Sequence, residues 1–188
     1  MFGKKLTDLA KDAAGKVADT ATDAVGKAAD TASDVAGKAA GAVTNINVVD
    51  TLTNNIPTET ISSFATSCKN MLPDVPNTQD VLNTLPEMYK KLRKFQDETP
   101  LVGPAISAAA MLLRARLDAD PLRGGLLKFA EQHGSQVFGD FLNDLQDDDF
   151  IMLVVMLALL VFIPNPFADI LDGIGLLSEF GGLLSFLQ

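Results

Sequence analysis

Hydrophobic and polar positions follow three different patterns along the chain. From Asp12 to Thr44 a phrase of eleven residues is written three times, as DAAGKVADTAT, DAVGKAADTAS and DVAGKAAGAVT, and residues 1–11 fit a degenerate fourth copy. A period of eleven residues corresponds to about 3.67 residues per turn, which keeps the apolar positions on one face of an almost straight helix. The pattern therefore predicts an amphipathic helix over residues 1–44.

The apolar face of this predicted helix is shallow, because alanine fills most of its positions. Its larger side chains are Leu6, Leu9, Val17, Val25, Val35 and Val43. On the polar face, pairs such as Asp12 and Lys16 add roughly 0.2–0.5 kcal/mol each, while one Gly per copy costs about 1 kcal/mol relative to Ala. We expect the helix to form mainly when its Ala/Val stripe contacts an apolar partner, which is either lipid or protein.

Two segments follow the repeat and have less regular patterns. The stretch VTNINVVDTLTNNIPTETISS, residues 43–63, is rich in Thr and Asn, and it predicts an irregular linker over residues 45–80. Residues 81–149 are divided by prolines and predict a small helical region.

Within that region, Thr84-Leu85-Pro86-Glu87 has the spacing of a capping box and predicts the start of a helix. We expect its buried face to consist of Leu85, Met88, Tyr89, Leu92 and Phe95. Further apolar periodicity predicts helices at about 104–118, 122–132 and 135–146.

The C-terminal part, residues 150–188, is the most apolar. FIMLVVMLALLVFI is a run of fourteen apolar residues, followed by Pro164, Asn165, Pro166 and a second apolar arm. Fourteen helical residues span about 21 Å, which is short against the roughly 30 Å hydrocarbon core of a bilayer. The pattern predicts a helical hairpin that dips into one leaflet and turns at the two prolines. The alternative is that the run forms the central buried helix of a bundle.

The residues predicted to contact lipid are large apolar side chains from both arms. They are Phe150, Ile151, Leu153, Val154, Val155, Leu157, Leu159, Leu160, Phe162, Ile163, Phe167, Ile170, Leu171, Phe180, Leu183, Leu184 and Phe186.

Composition and charge narrow the class of protein. The chain is 47% hydrophobic but only 6% aromatic and has no Trp, which favours an all-α fold over a β-sandwich. Its formal net charge of -9 argues against binding to nucleic acid phosphates. A single cysteine excludes an internal disulfide, and the N-terminal residues lack the apolar core of a cleavable signal peptide. We expect a membrane-associated location, facing the cytosol or inside a virion.

The sequence contains few residues that are typical of catalytic or metal-binding sites. His133 and Cys68 are the only His and Cys, and no phosphate-binding glycine motif is present. The acidic stretch DFLNDLQDDDF, residues 140–150, lacks the central Gly and final Glu of an EF-hand loop. It predicts a solvated acidic collar, which protonation or a divalent ion would weaken in favour of insertion. The basic run KKLRK, residues 90–94, predicts a solvated helix face. We expect no catalytic residue, metal or cofactor.

The repeat resembles those of late-embryogenesis-abundant proteins, perilipins and synucleins in its period, its Ala content and its placement of Lys and Asp. The resemblance covers only residues 1–44. It implies a segment that is disordered in water and helical on lipid droplets, membranes or dried surfaces. Repeats combined with a proline-broken apolar segment are also similar in architecture to oleosins, although the long proline knot of oleosins is absent.

Together these patterns predict a non-enzymatic structural protein that associates with a membrane or lipid surface through its apolar C-terminus and its repeats, with other subunits or its own copies as further partners. The main alternative is a structural or minor subunit of a large assembly, such as a membrane-containing virus particle. A pore-forming protein and a stress protectant are further alternatives. The apolar C-terminus argues against a protectant.

Overall fold

The computed structural model describes Asn47–Gln188, so the predicted repeat helix over residues 1–44 lies outside the described residues. The described part contains helices and no strand, which confirms the all-α fold class for this part of the chain. The α-helices are α1 (Val48–Asn55), α2 (Thr58–Lys69), α3 (Thr78–Glu98), α4 (Val102–Arg116), α5 (Ala119–Gln132), α6 (Gln136–Asp144), α7 (Asp147–Val161), α8 (Pro166–Gly173) and α9 (Leu176–Leu183), followed by a 3-10 turn, Ser185–Leu187.

The irregular linker predicted over residues 45–80 is wrong for most of its length, because α1 and α2 occupy it. The side chain of Asn47 caps α1 by accepting a hydrogen bond from the backbone N–H of Val49 at 2.8 Å. Thr and β-branched residues lower the intrinsic helix propensity of this segment. Burial of one face outweighs that preference, since α2 alone buries Ile61, Phe64, Ala65 and Cys68.

The predicted start of α3 at Thr84 is also wrong. The helix begins at Thr78, where the side chains of Asn77 and Asp80 form a reciprocal capping box with each other's backbone N–H at 2.8 and 3.0 Å. Pro86 therefore lies inside the helix, where a proline ordinarily costs about 3 kcal/mol. The predicted face is correct for Leu85, Met88, Tyr89 and Leu92, which are buried. Phe95 is only half-buried and stacks on Phe64 with ring centroids 5.1 Å apart.

The next three helices follow the predicted ranges to within a few residues. Their buried faces contain large apolar side chains, among them Ile106, Leu113, Phe138 and Leu142. Val137 is an exception, because it is 53% exposed on the outer side of α6. The apolar periodicity of 3.6 residues thus placed these helices correctly, although it did not place every apolar side chain in the core.

The helix α7 is the centre of the described fold. It packs against α1, α3, α4, α5, α8 and α9, and every residue from Phe150 to Val161 is buried. Where it meets α3, α8 and α9, the remaining void is only about 10 Å³. The run of apolar residues is therefore the central helix of a close-packed bundle. This was the alternative to a helical hairpin in one leaflet.

A buried asparagine forms the corner between α7 and α8. The Asn165 side-chain amide donates to the backbone carbonyls of Leu159, Leu160 and Ile163. Its oxygen accepts from the backbone N–H groups of Phe167 and Ala168 at 2.8 and 3.0 Å. One side chain thus satisfies carbonyls at the end of α7 and amides at the start of α8.

The corner changes the direction of the helix axis by 83°. The predicted turn at Pro164, Asn165 and Pro166 is therefore present, but it is closer to a right angle than to the antiparallel return of a hairpin. After the corner, α8 packs on α2 and α9 as well as on α7.

We expect Asn165→Ala to lower the free energy of unfolding by about 2–4 kcal/mol, because it leaves buried backbone groups on both sides of the corner unpaired. Urea unfolding of the full chain, followed by far-UV circular dichroism, measures the change. Asn54→Ala is the matched control, since Asn54 is exposed on α1 and its loss should change stability by less than about 0.5 kcal/mol. Equal effects of the two substitutions would contradict the role given to Asn165.

Candidate functional site

The residues predicted to contact lipid lie mainly inside the protein. Phe162, Ile170 and Leu183 are half-buried, and Phe186 is 48% exposed. The others are buried, and they are Phe150, Ile151, Leu153, Val154, Val155, Leu157, Leu159, Leu160, Ile163, Phe167, Leu171, Phe180 and Leu184. In this arrangement the side chains contact neighbouring helices, so contact with lipid requires α7 to separate from them.

At its N-terminal end, α7 begins with three aspartates that are held by three different helices. Asp147 lies 3.2 Å from Arg123 of α5, and Asp148 lies 2.6 Å from Arg114 of α4. Asp149 accepts a hydrogen bond of 2.9 Å from the hydroxyl of Tyr89 on α3. We call Asp147, Asp148 and Asp149 the aspartate triplet. Negative charge is favourable at a helix N-terminus, so the triplet stabilises α7 itself as well as its attachment to the bundle.

Arg123 makes the most extensive of these contacts. Its guanidinium donates to the backbone carbonyls of Leu142 and Leu145 at 2.6 and 2.7 Å, beyond the contact with Asp147. It also lies over the ring of Phe150, 4.6 Å from the ring centroid. The side chain is only 16% exposed. It therefore fixes the end of α6 and the beginning of α7 to α5 through planar, multidentate donation that a lysine cannot reproduce.

Tyr89 donates an uncharged hydrogen bond to Asp149 at the N-terminal end of α7. Burial raises the pKa of its hydroxyl well above the ordinary value, and the hydrogen bond to Asp149 together with the charge of that carboxylate raises the pKa further. Arg93 opposes the shift. The phenol, which is protonated at neutral pH in any case, therefore keeps its proton further into the alkaline range, and its O–H remains available to Asp149.

The other end of the bundle contains His133. Its ring nitrogen Nε2 lies 3.0 Å from a carboxylate oxygen of Glu179, and its ring packs on Phe129 with centroids 4.6 Å apart. Phe129 in turn contacts Phe180, at 5.3 Å between centroids. The histidine thus joins α5 to α9 as part of an aromatic contact.

Cys68 does not have the properties of a nucleophile. It is fully buried on α2, and this burial raises the pKa of its thiol to about 12, with the charge of Lys91 lowering it in part. Within residues 47–188, no group of three or more His, Cys, Asp or Glu side chains is placed to hold a metal ion.

An open cleft of about 440 Å³ lies beside the aspartate triplet. Its lining is mixed in charge, with arginines from α3 and α4, carboxylates from α7 and two methionines. We call it the arginine cleft, and its lining residues are Arg93, Ser107, Ala110, Met111, Arg114, Gln146, Asp148, Asp149 and Met152. Sequence patterns did not predict it, because Arg114 and Asp148 are far apart in the chain and no local spacing connects them.

We expect Arg123→Met to lower the free energy of unfolding by about 2–3 kcal/mol, since it leaves two carbonyls without their donor. Arg123→Lys should recover only part of this loss, because an ammonium cannot donate in the same planar geometry. Urea unfolding of the full chain measures both effects. Lys128→Met is the control on the exposed side of the same helix, and a loss as large as that of Arg123→Met would contradict the assignment.

The thiol of Cys68 should react with a disulfide reagent at least about a hundredfold more slowly in the folded chain than in urea at pH 8, because burial both blocks the reagent and raises the pKa of the thiol to about 12. Since the folded state holds the proton more tightly, this group also makes stability fall as pH rises from about 9 towards 12. Absorbance of the released thiol measures the reaction. Rapid reaction before urea is added would contradict the burial of Cys68.

Among residues 47–188, no one helix has both the length and the mean hydropathy of a membrane span, whereas α7 and α8 taken together meet both criteria by length and composition only. Comparison of the chain with family models, with curated proteins and with solved structures finds no match.

Proposed function

We propose that the chain is a non-enzymatic protein that associates with a membrane or lipid surface by exposing the apolar helix α7 from inside its helical domain. The observation that carries the proposal is the unbroken burial of Phe150–Val161, a segment that has no polar face. Most helices in a bundle keep one polar side towards water. A helix that is apolar on every side is stable only among other protein groups or in lipid, so release from the bundle leaves lipid as its remaining favourable environment.

The dimensions of α7 support shallow insertion. Its 15 residues correspond to about 22 Å, which is less than the roughly 30 Å hydrocarbon core. The bent pair of α7 and α8 would place both apolar helices in one leaflet, with the acidic residues Asp169 and Asp172 of α8 near the headgroups. A span through the corner would instead place those carboxylates in hydrocarbon, at a cost of a few kcal/mol.

Residues 1–44 provide a second, weaker contact in this proposal. The repeat has as many Lys as Asp, and its lysines lie in the middle of the predicted polar face, away from the border where they would reach headgroups. Its mostly alanine stripe buries little area per turn. The repeat would therefore add affinity without adding a strong preference for anionic lipid.

One observation favours a subunit of a large assembly as the second candidate function. The outer face of α4 has exposed, uncharged residues at helical spacing, with Leu101 62% exposed and Met111 69% exposed, and Pro104 and Ala108 between them. In an assembly, a neighbouring subunit would cover this face.

The test is flotation of the full chain with lipid vesicles, combined with a probe that reports lipid contact. One variant, Phe162→Cys, carries a fluorophore at a half-buried position at the end of α7. The matched control, Ser63→Cys, carries the same fluorophore on the exposed side of α2. Buried Cys68 should remain unlabelled. We expect the chain to float, and lipid-borne quenchers to reduce fluorescence at position 162 far more than at position 63.

If the full chain stays with the soluble fraction in the presence of both neutral and anionic vesicles, the proposal is wrong. If it floats with equal quenching at the two positions, the association is real but does not expose α7. A chain that sediments as a large oligomer and never floats would favour the assembly subunit.

A further inference from the structure

Positive charge is concentrated on one part of an acidic domain. Residues 47–188 contain nine Lys and Arg against eighteen Asp and Glu. The second half of α3 and the last turn of α4, two helices that pack together, nevertheless hold six of the nine cations, namely Lys90, Lys91, Arg93, Lys94, Arg114 and Arg116. Lys90 and Lys94 form exposed ion pairs with Glu87 and Glu98 at 2.7 and 3.7 Å, which reduces the positive charge of this part of the chain but leaves it positive.

The arginine cleft opens on this side of the domain. Arg93 and Arg114 both line it, and arginine binds phosphate oxygens with paired N–H donors. Met111 lies one turn before Arg114 on the same helix and is 69% exposed. At the boundary between phosphate headgroups and acyl chains, such cations would contact the phosphates and the methionine would contact the acyl chains.

The ion pair between Arg114 and Asp148 competes with such a ligand. The Nη2···Oδ1 distance is 2.6 Å, but the side chains are 50% and 77% exposed, and exposed pairs contribute little to stability. A phosphate that binds Arg114 displaces Asp148, and Asp148 belongs to the triplet that attaches α7 to the bundle. Binding in the cleft therefore removes one of the three side-chain contacts that hold the N-terminal end of α7, and the contacts of Asp147 with Arg123 and of Asp149 with Tyr89 remain.

We propose that the arginine cleft binds the phosphate headgroups of anionic lipids through Arg93 and Arg114, and that this binding separates Arg114 from Asp148 and so loosens the N-terminal end of α7. The inference rests on the proposed function and adds to it the lipid class and the step that starts the release. The repeat is charge-balanced, so a preference for anionic lipid would come from the cleft.

Two substitutions at one ion pair test the inference. Arg114→Gln and Asp148→Asn both break the pair, and urea unfolding will show whether they destabilise the chain equally. Their effects on flotation with phosphatidylglycerol vesicles should nevertheless be opposite. We expect Arg93→Gln and Arg114→Gln each to weaken binding about fivefold, the contribution of one cation at an anionic surface. Asp148→Asn, which frees Arg114, should strengthen it.

The controls separate charge, fold and ligand source. Lys128→Gln removes an exposed cation of α5 away from the cleft and should change binding little, while Arg114→Lys should retain most of the preference for phosphatidylglycerol over phosphatidylcholine. Inorganic phosphate, compared with chloride at equal ionic strength, should not displace the chain. Displacement by phosphate alone would identify a site for the free anion and overturn the lipid assignment.

Two results would overturn the inference and leave the proposed function intact. One is that Arg114→Gln and Asp148→Asn shift vesicle binding in the same direction, which would mean that the ion pair acts only through stability. The other is that the wild-type chain floats equally with neutral and anionic vesicles, and that Arg93→Gln has no effect. If the wild-type chain floats with neither lipid, both the inference and the proposed function are wrong.

Discussion

The described fold depends on the enclosure of one helix that has no polar side. The segment Phe150–Val161 would expose a large apolar surface to water from any direction, so neighbours must cover it around its whole circumference. Each neighbour needs an apolar face towards α7 and a polar face towards water. The amphipathic patterns of α3 and α5 follow from this requirement, and so does the full burial of residues such as Leu85 and Leu126.

The two ends of α7 are held by different kinds of polar contact. At the C-terminal end, the buried amide of Asn165 satisfies backbone groups on both sides of the corner, and breaking it would leave those groups unpaired in an apolar region. At the N-terminal end, Asp147 and Asp148 form ion pairs while 81% and 77% exposed, where water replaces a lost partner at little cost. The ion pairs of Asp147 and Asp148 are therefore easier to break than the corner, although Arg123 still holds the N-terminal end through Leu145 and Phe150.

Sequence patterns predicted the features that depend on local periodicity and missed those that depend on distant residues. The apolar spacing placed α4, α5 and α6 to within a few residues. Residues 45–80 were mispredicted because Thr and Asn signal irregular backbone locally, whereas burial of Ile61 and Phe64 decides their conformation. The capping signal at Thr84 was misleading, because the helix begins at Thr78, where Asn77 and Asp80 form a capping box. The contacts of Arg123 with Leu142 and Leu145 join helices whose relative positions no periodicity fixes.

The corner at Asn165 also restricts how α7 and α8 would enter a bilayer. Backbone groups in hydrocarbon must be satisfied within the protein, and a proline-flanked break ordinarily leaves several unpaired. Here one side chain pairs with carbonyls of α7 and with amides of α8, none of which belongs to another helix of the bundle. In the proposed membrane association, the corner's hydrogen bonds would therefore stay intact while α7 and α8 move as a bent unit. Straightening the unit would break those bonds and draw Asp169 and Asp172 into lipid, so the bent form has the lower cost in the proposed membrane association.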